Sequence, residues 1–225
     1  GDCETNPAAG LTKALTPPVK KKMAALKPEE LPEFLRRLED YQGHRLTYLG
    51  MSFLIYTFVR TSELRLAEWK EFELKSANPV WTIPAERMKM RREHLVPLSK
   101  QAIQILQQVA EISGGESLVF PSQNNPNKPM SENTLLFAIY RMGYHSRATT
   151  HGFRSVASTM LNESEKWHPD AIERQLAHVE SNKVRAAYDR AEHLPERRRM
   201  MKWWAEHIDS LKQPADVIDL EQHRA

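Results

Sequence analysis

The sequence predicts a mainly α-helical fold with a small three-stranded antiparallel β-sheet. Three observations carry that expectation. Apolar residues recur at helical spacing in both halves of the chain, "LTYLGMSFLIYTFV" is apolar on every face as a buried central helix must be, and three short β-like runs crowd together between residues 71 and 98.

The elements follow in order. "LPEFLRRLEDY" puts Leu31, Phe34, Leu35, Leu38 and Tyr41 on one helical face, and the buried helix after it runs up to Arg60. Thr61 and Ser62 are expected to cap "ELRLAEW". The strands "EFEL", "VWTIP" and "HLVPL" are separated by Asn78-Pro79 and by a polar stretch. "KQAIQILQQVAEI" starts after Ser99 and stops at Gly114-Gly115; Ser131 is expected to cap "ENTLLFAIYRM", Gly143 to end it, and Thr150 to cap the next helix. Asp170 and Glu173 resemble a capping box for "AIERQLA", a shorter helix is expected around "NKVRAAY", and Pro195 fits the first turn of "ERRRMMKWWAEHIDSL".

The chain has 225 residues, 40% hydrophobic and 27% charged, which fits an ordinary globular protein able to bury a core. No apolar run reaches the ~18 residues of a membrane span, and the first residues lack the apolar stretch of a signal peptide, so a cytoplasmic location with no membrane partner is expected. Cys3 is the single cysteine, which excludes an internal disulfide and a cysteine-built zinc site. A net charge of +3 permits nucleic acid as a partner without requiring it. Residues 1–22 mix Pro, Gly, Thr and Lys without periodicity and read as a linker from a missing upstream region. Residues 23–211 carry the patterned part of the chain, and residues 212–225 read as a tail.

Several side chains could do chemistry. His151 and Arg154 share a helical face at a helix start, where free N–H groups favour an anion; a pair on a solvated face is the plainer alternative. Arg60 interrupts an apolar segment, where a guanidinium needs an anion or a carboxylate, and Glu63 one turn on could supply the latter. "AERMKMRREH" packs Arg87, Lys89, Arg91 and Arg92 between two strands, either as a solvated turn or as a basic finger for a DNA groove. His178 ends a helix, and Tyr188 follows with Lys183, Arg185 and Arg190 around it; a half-packed helical tyrosine is the bland reading. Together, however, two Arg, one Lys, two His and a Tyr in this order supply charge clamps, a proton donor, a proton acceptor and a nucleophile for phosphoryl transfer without a metal or other cofactor.

At these residues the chain resembles the catalytic domain of the tyrosine recombinases, most of all the integrases of phages and genomic islands. The resemblance runs from about residue 23 to residue 211, through "LTYLGMSFLIYTFVRTSELRLAEWKEF", "WTIPAERMKMRREHLVPLSKQA", "TTHGFRSVASTMLNE" and "IERQLAHVESNKVRAAYDRAEHLPERRRMMKWWAEHID". It implies the fold of that DNA breaking and rejoining domain, with Arg60 and Arg154 as the catalytic arginines and Lys89 as the hairpin lysine. His151 and His178 would be the two histidines and Tyr188 the nucleophile, with Glu63 in support. It further implies site-specific recombination of double-stranded DNA at attachment sites, through a 3′-phosphotyrosyl intermediate and without ATP. Arg87, Arg91, Arg92, Lys183 and Arg185 would lie against DNA, the assembly on DNA would be a homotetramer, and the tail 212–225 is a candidate for exchange between protomers. The missing region to which the linker 1–22 would belong is expected to be DNA-binding. The competing readings are a non-catalytic DNA-binding fragment, a type IB topoisomerase-like relaxing enzyme, and a metal-dependent phosphoesterase built on His145, His151, His178 or His193, for which no close ligand motif is present.

Overall fold

Helix α2, Arg45–Thr57, runs through the middle of the core, with both its apolar side chains and Thr47, Ser52 and Thr57 buried. This is the helix that the sequence marks as apolar all round, and a helix of that kind is stable only when covered on all sides. In the computed structural model, which describes residues 24–115, 117–178 and 192–213, the cover comes from α4 (Lys100–Ser113), α5 (Thr134–Ile139) and the long helix α8 (Leu194–Lys212). Helix α1, Leu31–Glu39, packs against α8. The expected linker 1–22, the helix expected around "NKVRAAY" with Lys183, Arg185 and Tyr188, and the tail from residue 214 on lie outside the described residues.

The sheet is three-stranded and antiparallel, in the order β1 (Phe72–Glu73), β2 (Val80–Ile83), β3 (His94–Pro97). Trp81 pairs with Phe72 on one side and Val96 on the other, while Ile83 pairs with His94, so these inward residues form one buried face. The Trp81 and Phe72 rings stack with centroids 5.0 Å apart, and the Trp81 N–H donates to the Glu71 carboxylate at 2.9 Å, satisfying the buried indole. A second, two-stranded hairpin, β4 (Pro121–Ser122) with β5 (Asn125–Pro129), was not legible in "PSQNNPNKP", because Pro and Asn are poor strand formers.

Helix ends differ from the sequence expectation in instructive ways. Helix α2 stops at Thr57 because Phe58 turns left-handed at φ 40°, held there by its buried ring, which meets Trp204 edge-on at 5.8 Å. Thr61 is the first residue of α3 (Thr61–Arg65) rather than its cap; the Glu63 carboxylate reaches back to the Arg60 N–H at 2.8 Å instead. Ser131 precedes α5 by three residues, and its hydroxyl accepts only from the Asn133 N–H at 3.5 Å. For α6 (Gly152–Glu163) the hydroxyl that accepts the first N–H belongs to Thr149, at 3.1 Å, not to Thr150. Helix α7 (Pro169–Gln175) is capped by His168, whose Nδ1 accepts from the Asp170 N–H at 3.2 Å, so Asp170 sits inside the first turn and is no capping-box partner of Glu173. Ser99 and Gly114 cap α4 as expected, the latter at φ 75°. No helix among the described residues is long and apolar enough to cross a membrane.

Candidate active site

The turn that ends α7 gathers the two arginines. The N–H groups of Leu176, Ala177 and His178 bond the Ile172, Arg174 and Glu173 carbonyls and so close α7, and guanidinium groups from two other segments take the Leu176 and Ala177 carbonyls that follow the helix. Arg154, in the first turn of α6, donates to the Leu176 carbonyl and, at 2.6 Å, to the Phe58 carbonyl at the end of α2. Arg60 donates to the neighbouring Ala177 carbonyl at 3.1 Å and to the Glu63 carboxylate at 2.6 Å. The expected Arg60–Glu63 ion pair therefore exists, with Glu63 only 3% exposed.

These bonds use part of each guanidinium. A guanidinium has five N–H donors, and Arg154 Nε is buried with no partner among the described residues. Arg154 is 4% exposed; burial first, then the nearby charge of Arg60, bring it down to about 10, so it is still a cation at neutral pH. Two cations held this close in a partly desolvated corner form a strong site for an anion such as a phosphodiester.

Both histidines join them. His151 occupies the N-cap position of α6, and burial together with the positive charges of Arg154, Arg60 and His178 holds its imidazole below the ordinary range. It is thus a neutral proton acceptor at physiological pH. His178 follows Ala177 directly; its Nδ1 lies 2.8 Å from the Glu173 carboxylate, which fixes the ring. Gly152 permits this placement of α6, since a Cβ there would lie 2.6 Å from the Ala24 carbonyl oxygen, and Thr149 ties the same carbonyl at 3.0 Å.

The basic hairpin divides. Arg87 turns inward, pairing with the Glu71 carboxylate and donating to the Leu66 carbonyl, contacts that hold the hairpin base. Lys89, Met90, Arg91 and Arg92 are exposed, Met90 to 54%. Lys89 forms no hydrogen bond or ion pair among the described residues, whereas Arg92 pairs with Glu192 at 2.7 Å. Tyr188, Lys183 and Arg185 are outside the described residues. His145 sits beside Ser146 and Tyr140, and no cluster of three or more His, Cys, Asp or Glu able to hold a metal occurs among the described residues.

Three residues behind the site escaped the sequence reading. His94 is buried on β3 and bonded to the Gln175 backbone, and burial with the charges of Arg197, Arg154 and Arg60 lowers it to about 3. Gln175 and Arg197 are its buried neighbours. A signal existed for Arg197: it precedes Met200, Met201, Trp204, Ala205 and Ile208 at helical spacing, which places it on the buried stripe of α8 despite the surrounding basic run.

Solved recombinases share this arrangement of helices and sheet. XerH site-specific recombinase bound to difH substrate, in a pre-cleavage complex, superposes with a TM-score of 0.58 at 19% identity, covering 74% of this chain and 50% of that one. A lambda integrase dimer bound to a COC′ core site gives 0.56 at 17%, covering 80% and 52%. The fold is therefore that of the tyrosine recombinase catalytic domain. In sequence, the pattern of the phage integrase family matches residues 24–193, and the chain belongs to that family. It is 44% identical over 221 residues to the integrase of Enterobacteria phage P4, covering 92% of this chain and 50% of that one. It is 40% identical over 212 residues to prophage integrase IntA of Escherichia coli (strain K12), covering 94% and 51%. The chain spans about half the length of the curated relatives it matches.

Proposed function

We propose that residues 23–211 are the catalytic domain of a site-specific tyrosine recombinase that integrates or excises a mobile element at DNA attachment sites. One observation supports this most directly: Arg60 and Arg154, from separate segments, rest on the adjacent carbonyls of Ala177 and Leu176, with His151 and His178 in the same electrostatic neighbourhood. In the proposed reaction the Tyr188 oxygen attacks a backbone phosphorus and the bond to the 5′ oxygen breaks. The phenolic proton passes to His151, and Lys89 gives a proton to the leaving 5′ oxygen. Arg60 and Arg154 balance the charge that builds on the non-bridging oxygens, and His178 hydrogen-bonds one of them. The 3′-phosphotyrosyl link keeps the bond energy, so a 5′-hydroxyl from a second strand reverses the step without ATP.

Lys89, Arg91 and Arg92 on the exposed turn, with Lys183 and Arg185, are the proposed DNA contacts; Glu63 holds Arg60. A homotetramer on DNA is the proposed working assembly, with residues 212–225 exchanged between protomers, inside the bacterial cytoplasm. The solved lambda integrase tetramer bound to a Holliday junction is consistent with that assembly. The test is incubation with nicked attachment-site duplex. A covalent protein–DNA adduct that Tyr188→Phe eliminates supports the reading, and its absence in the parental protein refutes catalysis in favour of a DNA-binding role. Transfer of the cut strand to a second duplex, rather than relaxation of one, separates recombination from topoisomerase-like activity.

A further inference from the structure

Arg197 is a fully buried guanidinium, 0% exposed, that belongs to none of the groups assigned to the reaction above. Its Nε donates to the Gln175 side-chain oxygen at 3.0 Å, one Nη to the Glu192 carbonyl at 3.1 Å, and the other Nη to the Leu95 carbonyl. The Glu192 carboxylate lies 3.5 Å from the same guanidinium and also receives Arg92.

Each partner marks a different part of the machinery. Gln175 is the last residue of α7, directly before Leu176, Ala177 and His178, whose carbonyls and imidazole build the anion site. Leu95 is the second residue of β3, the strand that the Lys89 turn enters, and His94 beside it is bonded to the Gln175 backbone. Glu192 is the first described residue after Tyr188 in the chain. A single planar fork with fixed donor angles thus ties together three segments that are also linked in pairs, β3 to α7 through His94 and the hairpin turn to Glu192 through Arg92. An apolar side chain of similar volume would suit such a position only if its partners were replaced with it, so the guanidinium is tied to these segments through the groups that it satisfies.

We propose that Arg197 is a positioning residue that sets the register between the Lys89 hairpin, the α7 turn that seats Arg60, Arg154 and His178, and the Glu192 segment that leads into α8. This rests on the catalytic reading above. Its effect is on alignment: a displacement of about 1 Å at a reacting group lowers a rate by about 10²-fold without touching the chemistry itself.

The experiment compares the full chain with Arg197→Met, Arg197→Lys and Tyr188→Phe. Four quantities are read: urea unfolding, DNA affinity, the single-turnover rate of adduct formation, and amide hydrogen exchange. The DNA is a nicked duplex selected by covalent capture from a random-sequence pool. Arg197→Met leaves the Gln175 oxygen and the Leu95 and Glu192 carbonyls unpaired and is expected to unfold at lower urea, yet without urea, where it is folded, to bind DNA within about twofold while forming the adduct about 10²-fold more slowly. Exchange rises in 93–97 and 175–178 and stays parental in α2. Arg197→Lys falls between. A folded Arg197→Met with parental rate and parental exchange overturns the proposal. If Arg197→Met does not fold, Arg197→Lys decides on the same rate and affinity. If the parental protein forms no adduct, the catalytic reading fails on its own, and unchanged exchange in 93–97 and 175–178 still overturns the positioning role.

Discussion

The Arg154 guanidinium donates to the Phe58 carbonyl at 2.6 Å, so an arginine from α6 closes the end of the central helix two residues before Arg60. That bond makes the two arginines unequal. Arg154 is 4% exposed and carries two backbone carbonyls, whereas Arg60 keeps about a quarter of its side chain in solvent.

Replacing either arginine by lysine is expected to lower adduct formation by about 10²–10³-fold, because one donor aimed at transition-state charge contributes about 3–4 kcal/mol. Only Arg154→Lys should also lose stability, by about 1–3 kcal/mol for each buried carbonyl left unpaired. Urea unfolding of both variants beside single-turnover cleavage checks the difference; equal stability loss contradicts the assigned geometry.

Acid should destabilise the protein before its carboxylates titrate. His94 is held at about 3 against an ordinary 6.5, and His151 and His207 are also lowered, all by burial first. Below 6.5 the unfolded chain takes up protons that the folded chain refuses, so stability present above 6.5 falls as pH drops. His94 contributes on the order of 1.4 kcal/mol per pH unit down to about 3. Urea titrations between pH 7 and about 5 should show this slope, and His94→Gln should reduce it while leaving the His151 and His207 share.

Gly152→Ala should cost about 1–3 kcal/mol, since its Cβ would meet the Ala24 oxygen at 2.6 Å and the Ala25 Cα at 2.9 Å, both backbone atoms unable to give way cheaply. Because the displaced turn carries His151 and Arg154, cleavage should slow as well. An unchanged melting temperature together with parental cleavage contradicts the close packing.

Arg87 and Arg91 should separate scaffold from DNA contact. Arg87→Ala breaks a half-buried pair with Glu71 and should lower stability while leaving the salt dependence of DNA binding nearly parental. Arg91→Ala should do the reverse, reducing the slope of log affinity against log salt by about 1. Affinities titrated across salt concentrations, with unfolding curves, check both.

Lys89→Ala should slow cleavage by about 10²–10⁴-fold, the usual contribution of a positioned acid. The rate should recover on a duplex whose scissile 5′ oxygen is replaced by sulfur, a leaving group that needs no proton. Cleavage unchanged by EDTA is expected throughout. Failure of the sulfur substrate to rescue Lys89→Ala moves the acid elsewhere.

By itself the sequence determined the helical class, the three-strand sheet and the order of chemistry-bearing residues, because hydrophobic periodicity and residue type are local properties. "LTYLGMSFLIYTFV" could only be a covered helix, and Arg60 followed three residues later by Glu63 already implied an ion pair. Tertiary structure alone decided which hydroxyl caps α6, why α2 stops at Phe58, that Arg87 faces inward, and that His94, Gln175 and Arg197 share one buried network. These outcomes depend on which carbonyls and carboxylates from distant segments lie within about 3 Å of a donor. Sequence spacing does not encode such a distance, because it arises only when helices and strands pack.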